Sequence, residues 1–130
     1  MPKKDDTYIV TLQKAHIEWG THRHTETREL IYGEGYIQIP SEYATKYEIY
    51  MSNKEGANIQ YTCTSSDKHL SNVTLKASGS QGRDNLYAKQ FQGSGNLKTI
   101  GSWYSKIKAK VGDQIKITFT SPNSMYIEKI

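Results

Sequence analysis

Only one cysteine, Cys63, occurs in the 130 residues. That excludes an intramolecular disulfide and any zinc site built on a cysteine pair, and it suits a reducing interior. No apolar run approaches the length needed to span a membrane. The opening "MPKKDDTYIV" is charged and lacks the apolar centre of a signal peptide. A cytoplasmic protein is the expectation. The chain also lacks internal repeats, low-complexity stretches and linkers. It has no HExxH, no PD-(D/E)xK spacing and no His-x-Lys motif, which removes the usual signatures of zinc hydrolases and of two nuclease classes.

Hydrophobic residues make up 35% of the chain, a low share for a globular protein, and there are only two phenylalanines. Ten tyrosines offset this, because tyrosine packs as an apolar body with a polar tip. The length suits one domain, 1–130, with a single modest core. The chain closes on a strand-like segment, as a complete domain would.

The formal net charge is +4, and its distribution says more than its sum. Residues 1–40 carry five Lys/Arg against six Asp/Glu, residues 41–75 three against four, and residues 111–130 two against two. Residues 76–110 carry Lys76, Arg83, Lys89, Lys98, Lys106, Lys108 and Lys110 against Asp84 alone, seven minus one. A one-signed segment of this kind is either a solvated face or a phosphate-binding surface.

Period-two alternation dominates. "IQYTC" puts Ile59, Tyr61 and Cys63 on one face, "VTLKA" does so with Val73, Leu75 and Ala77, and "IKITF" with Ile115, Ile117 and Phe119. With "YIVTL" near the start, "YIQI" at 36–39, "LYAKQF" at 86–91 and the closing "MYIEKI", seven strands are predicted. Turn-rich connections such as "NKEG", "SGSQGRDN", "GSG", "VGD" and "SPN" separate them. Two short helices are expected. Ser41 is placed to cap "SEYATKY" after Pro40, and "LKTIGSWYSKI" spaces Leu97, Ile100, Tyr104 and Ile107 helically despite Gly101. Many short strands with two helices predict a mostly β protein, a small barrel or sandwich.

The densest polar stretch is "WGTHRHTETRELIYGEGY", Trp19 to Tyr36. His22 and His24 share a face if extended. Glu26, with His16 or His69, would complete a zinc site only by bringing together distant residues, so no metal and no cofactor is expected. Cys63 reads as a buried, inert thiol. Most tyrosines read as core or half-buried strand residues. Tyr32, Tyr87 and Tyr104 remain as candidates for stacking on bases. Trp103 is expected to pack the second helix on the barrel.

From Tyr87 to Phe119, "YAKQFQGSGNLKTIGSWYSKIKAKVGDQIKITF" runs strand, turn, short amphipathic piece with Trp103, then a Gly112-Asp113 turn into a strand. "YIQIPSEYATKYEI", Tyr36 to Ile49, passes from a strand through a proline into a short helix. This order resembles the B3 DNA-binding fold. "AKQFQGSGNL" and the closing "TSPNSMYIEKI" are similar to the bacterial branch, the C-terminal recognition domains of restriction endonucleases with a phospholipase D-like nuclease. The resemblance covers roughly residues 30–130.

The resemblance implies an open seven-stranded pseudobarrel with two short helices, holding double-stranded DNA like a wrench with two arms in the major groove. The N-arm would fall on residues 18–36 and the C-arm on residues 78–98, within the basic segment. The groove shows a distinct donor and acceptor pattern for each base pair. His22, Arg23, His24, Thr25, Glu26 and Arg28 in the N-arm carry groups that read such patterns. So do Ser80, Gln81, Arg83, Asp84, Asn85, Lys89, Gln92, Asn96 and Lys98 in the C-arm. All three arginines of the chain fall in these arms, and arginine pairs bidentately with guanine where lysine mostly meets phosphate. The expected function is sequence-specific recognition for a restriction system, with any nuclease in a separate domain or partner and no membrane association. Other readings stay open: a small barrel binding single strands, a small hydrolase using His22 or His24 as general base, and a carbohydrate-binding module.

Overall fold

The computed structural model describes residues 2–13, 35–57, 60–82 and 86–130. In chain order its elements are β1 (Thr7–Thr11), β2 (Ile37–Gln38), α1 (Ser41–Lys46), β3 (Tyr61–Ser65), β4 (Val73–Ser78), β5 (Gln90–Gly93), α2 (Thr99–Lys106), β6 (Gln114–Ser121) and β7 (Ser124–Lys129). The strands form one seven-stranded sheet in the order β1-β6-β7-β3-β4-β5-β2. All neighbours are antiparallel except the parallel pair β3–β7. The sheet curls into a nearly closed barrel whose seam lies between β1 and β2. Mostly strands and two helices, in an open barrel, is the architecture expected from the sequence.

Alternation explains the core. Tyr8 and Val10, Tyr61 and Cys63, Leu75 and Ala77, Ile115, Ile117 and Phe119, and Met125 and Ile127 all point inward and are buried. Tyr61, Phe91 and Phe119 meet edge-on or tilted at the centre, with ring centroids 5.0 and 6.2 Å apart. Tyrosine hydroxyls bridge the seam where a strand ladder is missing. Tyr8 donates to the Gln38 carbonyl at 3.0 Å, and Tyr47 to the Thr7 carbonyl at 2.6 Å. Tyr8 and Tyr43 stack beside them at 5.3 Å. At this gap each ring packs while its hydroxyl satisfies an edge carbonyl.

The chain direction puts one helix at each end of the barrel. α1 follows β2, and α2 links β5 to β6. Trp103 and Tyr104 of α2 are each 1% exposed. Trp103 donates from Nε1 to Asp67 Oδ1 at 3.2 Å, tying the β3–β4 turn to the helix. The same Asp67 oxygen accepts from Ser65 Oγ at 2.5 Å and from the His69 amide at 3.1 Å.

Three local expectations are corrected. Ser41 does not cap α1: Pro40 occupies that position, and no side chain bonds the helix start. The Pro40 carbonyl instead accepts from the Tyr43 and Ala44 amides, both at 3.0 Å. The predicted strand 86–91 begins only at Gln90. Residues 86–88 leave β4 and bond the segment 49–51, through Met51 N to Leu86 O and Ala88 N to Ile49 O. Tyr104 offers no stacking surface. It is buried, and its hydroxyl donates to the Tyr36 carbonyl at 2.8 Å.

Candidate nucleic-acid interface

The connection between β1 and β2 leaves after Gln13 and returns at Gly35. At that end of the barrel Leu12 bonds Asp113 and Tyr104 bonds Tyr36. The connection between β4 and β5 lies at the opposite end, because β4 runs antiparallel to β3, which runs parallel to β7 and so to β1. The roots of the two proposed arms are therefore separated by the length of a strand. What lies between them is the outer face of β4, β5 and β2.

Register defines that wall. Ser78 faces Gln90, which faces Gln38, and Lys76 faces Gln92 one row along. Ala77, Phe91 and Ile37 alternate inward. The outer face is thus amides, a hydroxyl and a lysine. The four residues of β5 span about 13 Å at ~3.3 Å each, close to the ~12 Å width of a major groove.

Of the sequence-predicted residues, His22, Arg23, His24, Thr25, Glu26, Arg28, Arg83, Asp84 and Asn85 lie outside the described residues. Tyr32 and Trp19 do too. Ser80, Gln81 and Lys89 come together at the root of the β4–β5 loop. Gln81 is held by its own fold: its amide NH2 donates to the Ile39 carbonyl at 2.5 Å and to the Ala88 carbonyl at 2.9 Å. Ser80 Oγ donates to the Gly82 carbonyl. Lys89 is exposed, and its aliphatic stem lies across Gly79. A Cβ built there would meet Lys89 Cγ at 2.8 Å, and the φ of +71° favours glycine independently.

Gln92 stands on the wall, accepting from Gln90 Nε2 at 2.7 Å. Asn96 and Lys98 lie past the far end of β5, away from the loop holding Lys89. Asn96 Oδ1 accepts from the Lys98 amide at 3.0 Å and its carbonyl from Thr99 Oγ1 at 2.8 Å, a turn that launches α2. The basic segment likewise divides. Lys76 lies on β4 and Lys89 just before β5, whereas Lys106 ends α2 and Lys108 and Lys110 follow it. Cations there also complement the helix dipole.

Of the wall residues, Gln90 is expected in the C-arm and Lys76 in the basic segment, whereas Gln38 and Tyr36 carry no expectation of contact. Outward residues of an alternating strand look like any solvated face until the topology sets β2 beside β5. Two clefts mark the same region. One of about 230 Å³ is lined by Tyr36, Gln38, Ile39, Gln81, Lys89 and Gln90. The other, about 140 Å³, is lined by Met51, Ser52, Asn53, Lys76, Ala77, Ser78 and Gly79. Neither Lys76 nor Lys89 has a carboxylate partner among the described residues.

Elsewhere the titratable groups are tied into the fold. Burial pushes the Cys63 thiol up to about 12, as its place on the apolar face predicts. Hydrogen bonds, first from Ser65, hold the Asp67 carboxyl below its usual range. The Lys110 amide and then Lys129 do the same for Asp113. His69 Nε2 lies 3.4 Å from Ser102 Oγ, which donates to the Thr99 carbonyl at 2.7 Å, so this exposed pair is not arranged as an activated nucleophile. Among the described residues no three His, Cys, Asp or Glu side chains group as metal ligands, and no helix is long and apolar enough to cross a membrane.

No protein-family model matches the chain, and no curated protein and no solved structure shows significant similarity to it.

Proposed function

We propose that this chain is a sequence-specific double-stranded DNA-binding domain, serving a restriction endonuclease system as its target-recognition module. The observation that carries this reading is the placement of the two arm roots at opposite ends of one polar wall, β4–β5–β2. Two loops rooted that way can grip a rod lying across the wall. Lys76 and Lys89, without carboxylate partners among the described residues, supply charge for phosphates there. The amides of Gln38, Gln90 and Gln92 supply the donor and acceptor pairs that base edges require. The B3-like order of the sequence motifs supports the same reading, with Arg23, Arg28 and Arg83 as the base readers. Catalysis is assigned to a separate nuclease domain or subunit, and the site of action to the cytoplasm.

Selection from a pool of random duplexes at near-physiological salt tests this. One short motif should be enriched, and the enrichment should vanish in Arg23→Ala or Arg83→Ala. Binding that falls with salt but enriches no motif would reduce the protein to a non-specific phosphate binder. No duplex binding would overturn the reading.

A further inference from the structure

The 230 Å³ cleft on the outer face of β2 and β5 has a composition that phosphate contact alone does not explain. At ~30 Å³ per water its volume equals that of about eight waters, enough for a planar heterocycle. Gln90 lines it and is only 7% exposed. Its amide makes one hydrogen bond, from Nε2 to Gln92 Oε1 at 2.7 Å, and its Oε1 has no partner among the described residues. Turning the Gln90 and Gln92 amides over together would satisfy the Gln90 oxygen and orphan its nitrogen, so either arrangement leaves one buried polar atom unmatched. Buried amides are normally satisfied, and an exception calls for a ligand or water. Gln38 stands directly opposite Gln90 in the β2–β5 register, putting a second amide alongside. Tyr36 lines the cleft too, as does the exposed Lys89.

We propose that this cleft is a single-nucleotide site. The Gln90 and Gln38 amides meet the adjacent donor and acceptor of an adenine-type edge, the pairing that glutamine makes best. Tyr36 covers the face of the base, and Lys89 meets its phosphate. Two sources present this chemistry: a free nucleotide, or a nucleotide extruded from a bound duplex, as proteins that read an isolated base require. The second form rests on the DNA-binding reading above.

Two measurements separate these. The first titrates the protein with adenosine monophosphate and, as control, inorganic phosphate, following backbone amide resonances. The second places the fluorescent analogue aminopurine at each position of the selected duplex in turn. Shifts at residues 36–39 and 89–90 with the nucleotide, not matched by phosphate, support the site. So does a several-fold fluorescence rise at one position of the bound duplex. Gln90→Leu should remove both signals, with Gln38→Ala as the second variant should the first fail to fold. Duplex binding with no fluorescence rise and no nucleotide shifts overturns the cleft and leaves the DNA-binding reading intact. Nucleotide shifts without any duplex binding overturn that reading and keep the free-nucleotide site. Equal shifts with phosphate alone overturn base recognition.

Discussion

The outer faces of β4–β5–β2 and of β1–β6–β7 follow the same two-residue alternation but carry different chemistry. On β1–β6–β7 the charges are balanced. Lys116 stands opposite Glu128 in the β6–β7 ladder, and Lys129 pairs with Asp113 at 3.3 Å. Ile9 stands exposed there, opposite Lys116 in the β1–β6 ladder. On β4–β5–β2 the lysines have no described acid, the neighbours are amides, and two clefts open. One barrel therefore presents a neutralised wall and an uncompensated one. The second is the wall whose ends root both arms. Under the DNA-binding proposal these lysines without a described acid are the ones that meet phosphates.

The largest expected effect comes from removing what holds α2 on the end of the barrel. Trp103→Ala deletes a fully buried ring that packs α2 on the barrel and bonds Asp67. It should cost about 3–5 kcal/mol, measured by urea unfolding. Gly93→Ala comes next. A Cβ there would fall inside van der Waals contact of the Asn96 carbonyl oxygen and the Thr99 side chain. With backbone as the obstacle, the loss should be about 1–3 kcal/mol, and a stability unchanged within error would contradict the packing described.

Lys89→Ala and Lys116→Ala then set the two walls against each other. Lys89→Ala should weaken duplex binding uniformly across sequences and lower the salt slope of log K by about one, while Lys116→Ala leaves both unchanged. Equal effects would erase the distinction between the walls.

The smallest effect is on acid stability. Asp67 titrates below its unfolded value in the folded state, chiefly because Ser65 donates to it. Its contribution is therefore present above the unfolded carboxylate pKa and lost as pH falls through the lowered folded value. Asp67→Asn should flatten the acid limb of the urea midpoint against pH, below about pH 4. Cys63 should not react with a thiol reagent at pH 8 until the protein unfolds, since burial holds its thiol near 12.

Much of the fold is legible in the sequence because inward residues of each strand repeat every second position, and every predicted strand segment contributes to the barrel. The misses have tertiary causes. Residues 86–88 read as strand by composition, yet their backbone turns to the 49–51 segment, a partner no local pattern names. Tyr104 has the same side chain as a stacking platform, and only the carbonyl of Tyr36 decides that it faces inward. The site is less legible than the fold. Gln38 and Gln90 are 52 residues apart (90 minus 38) and meet only through the register of a two-residue strand.

The measurement that most directly tests the two-wall account is a hydrogen-exchange footprint of a selected duplex on the chain. Protection is expected at residues 36–39, 74–82 and 89–94 and in the two connecting loops, with β1, β6 and β7 unchanged. A footprint on β1–β6–β7, or none on the amide-rich wall, would contradict it.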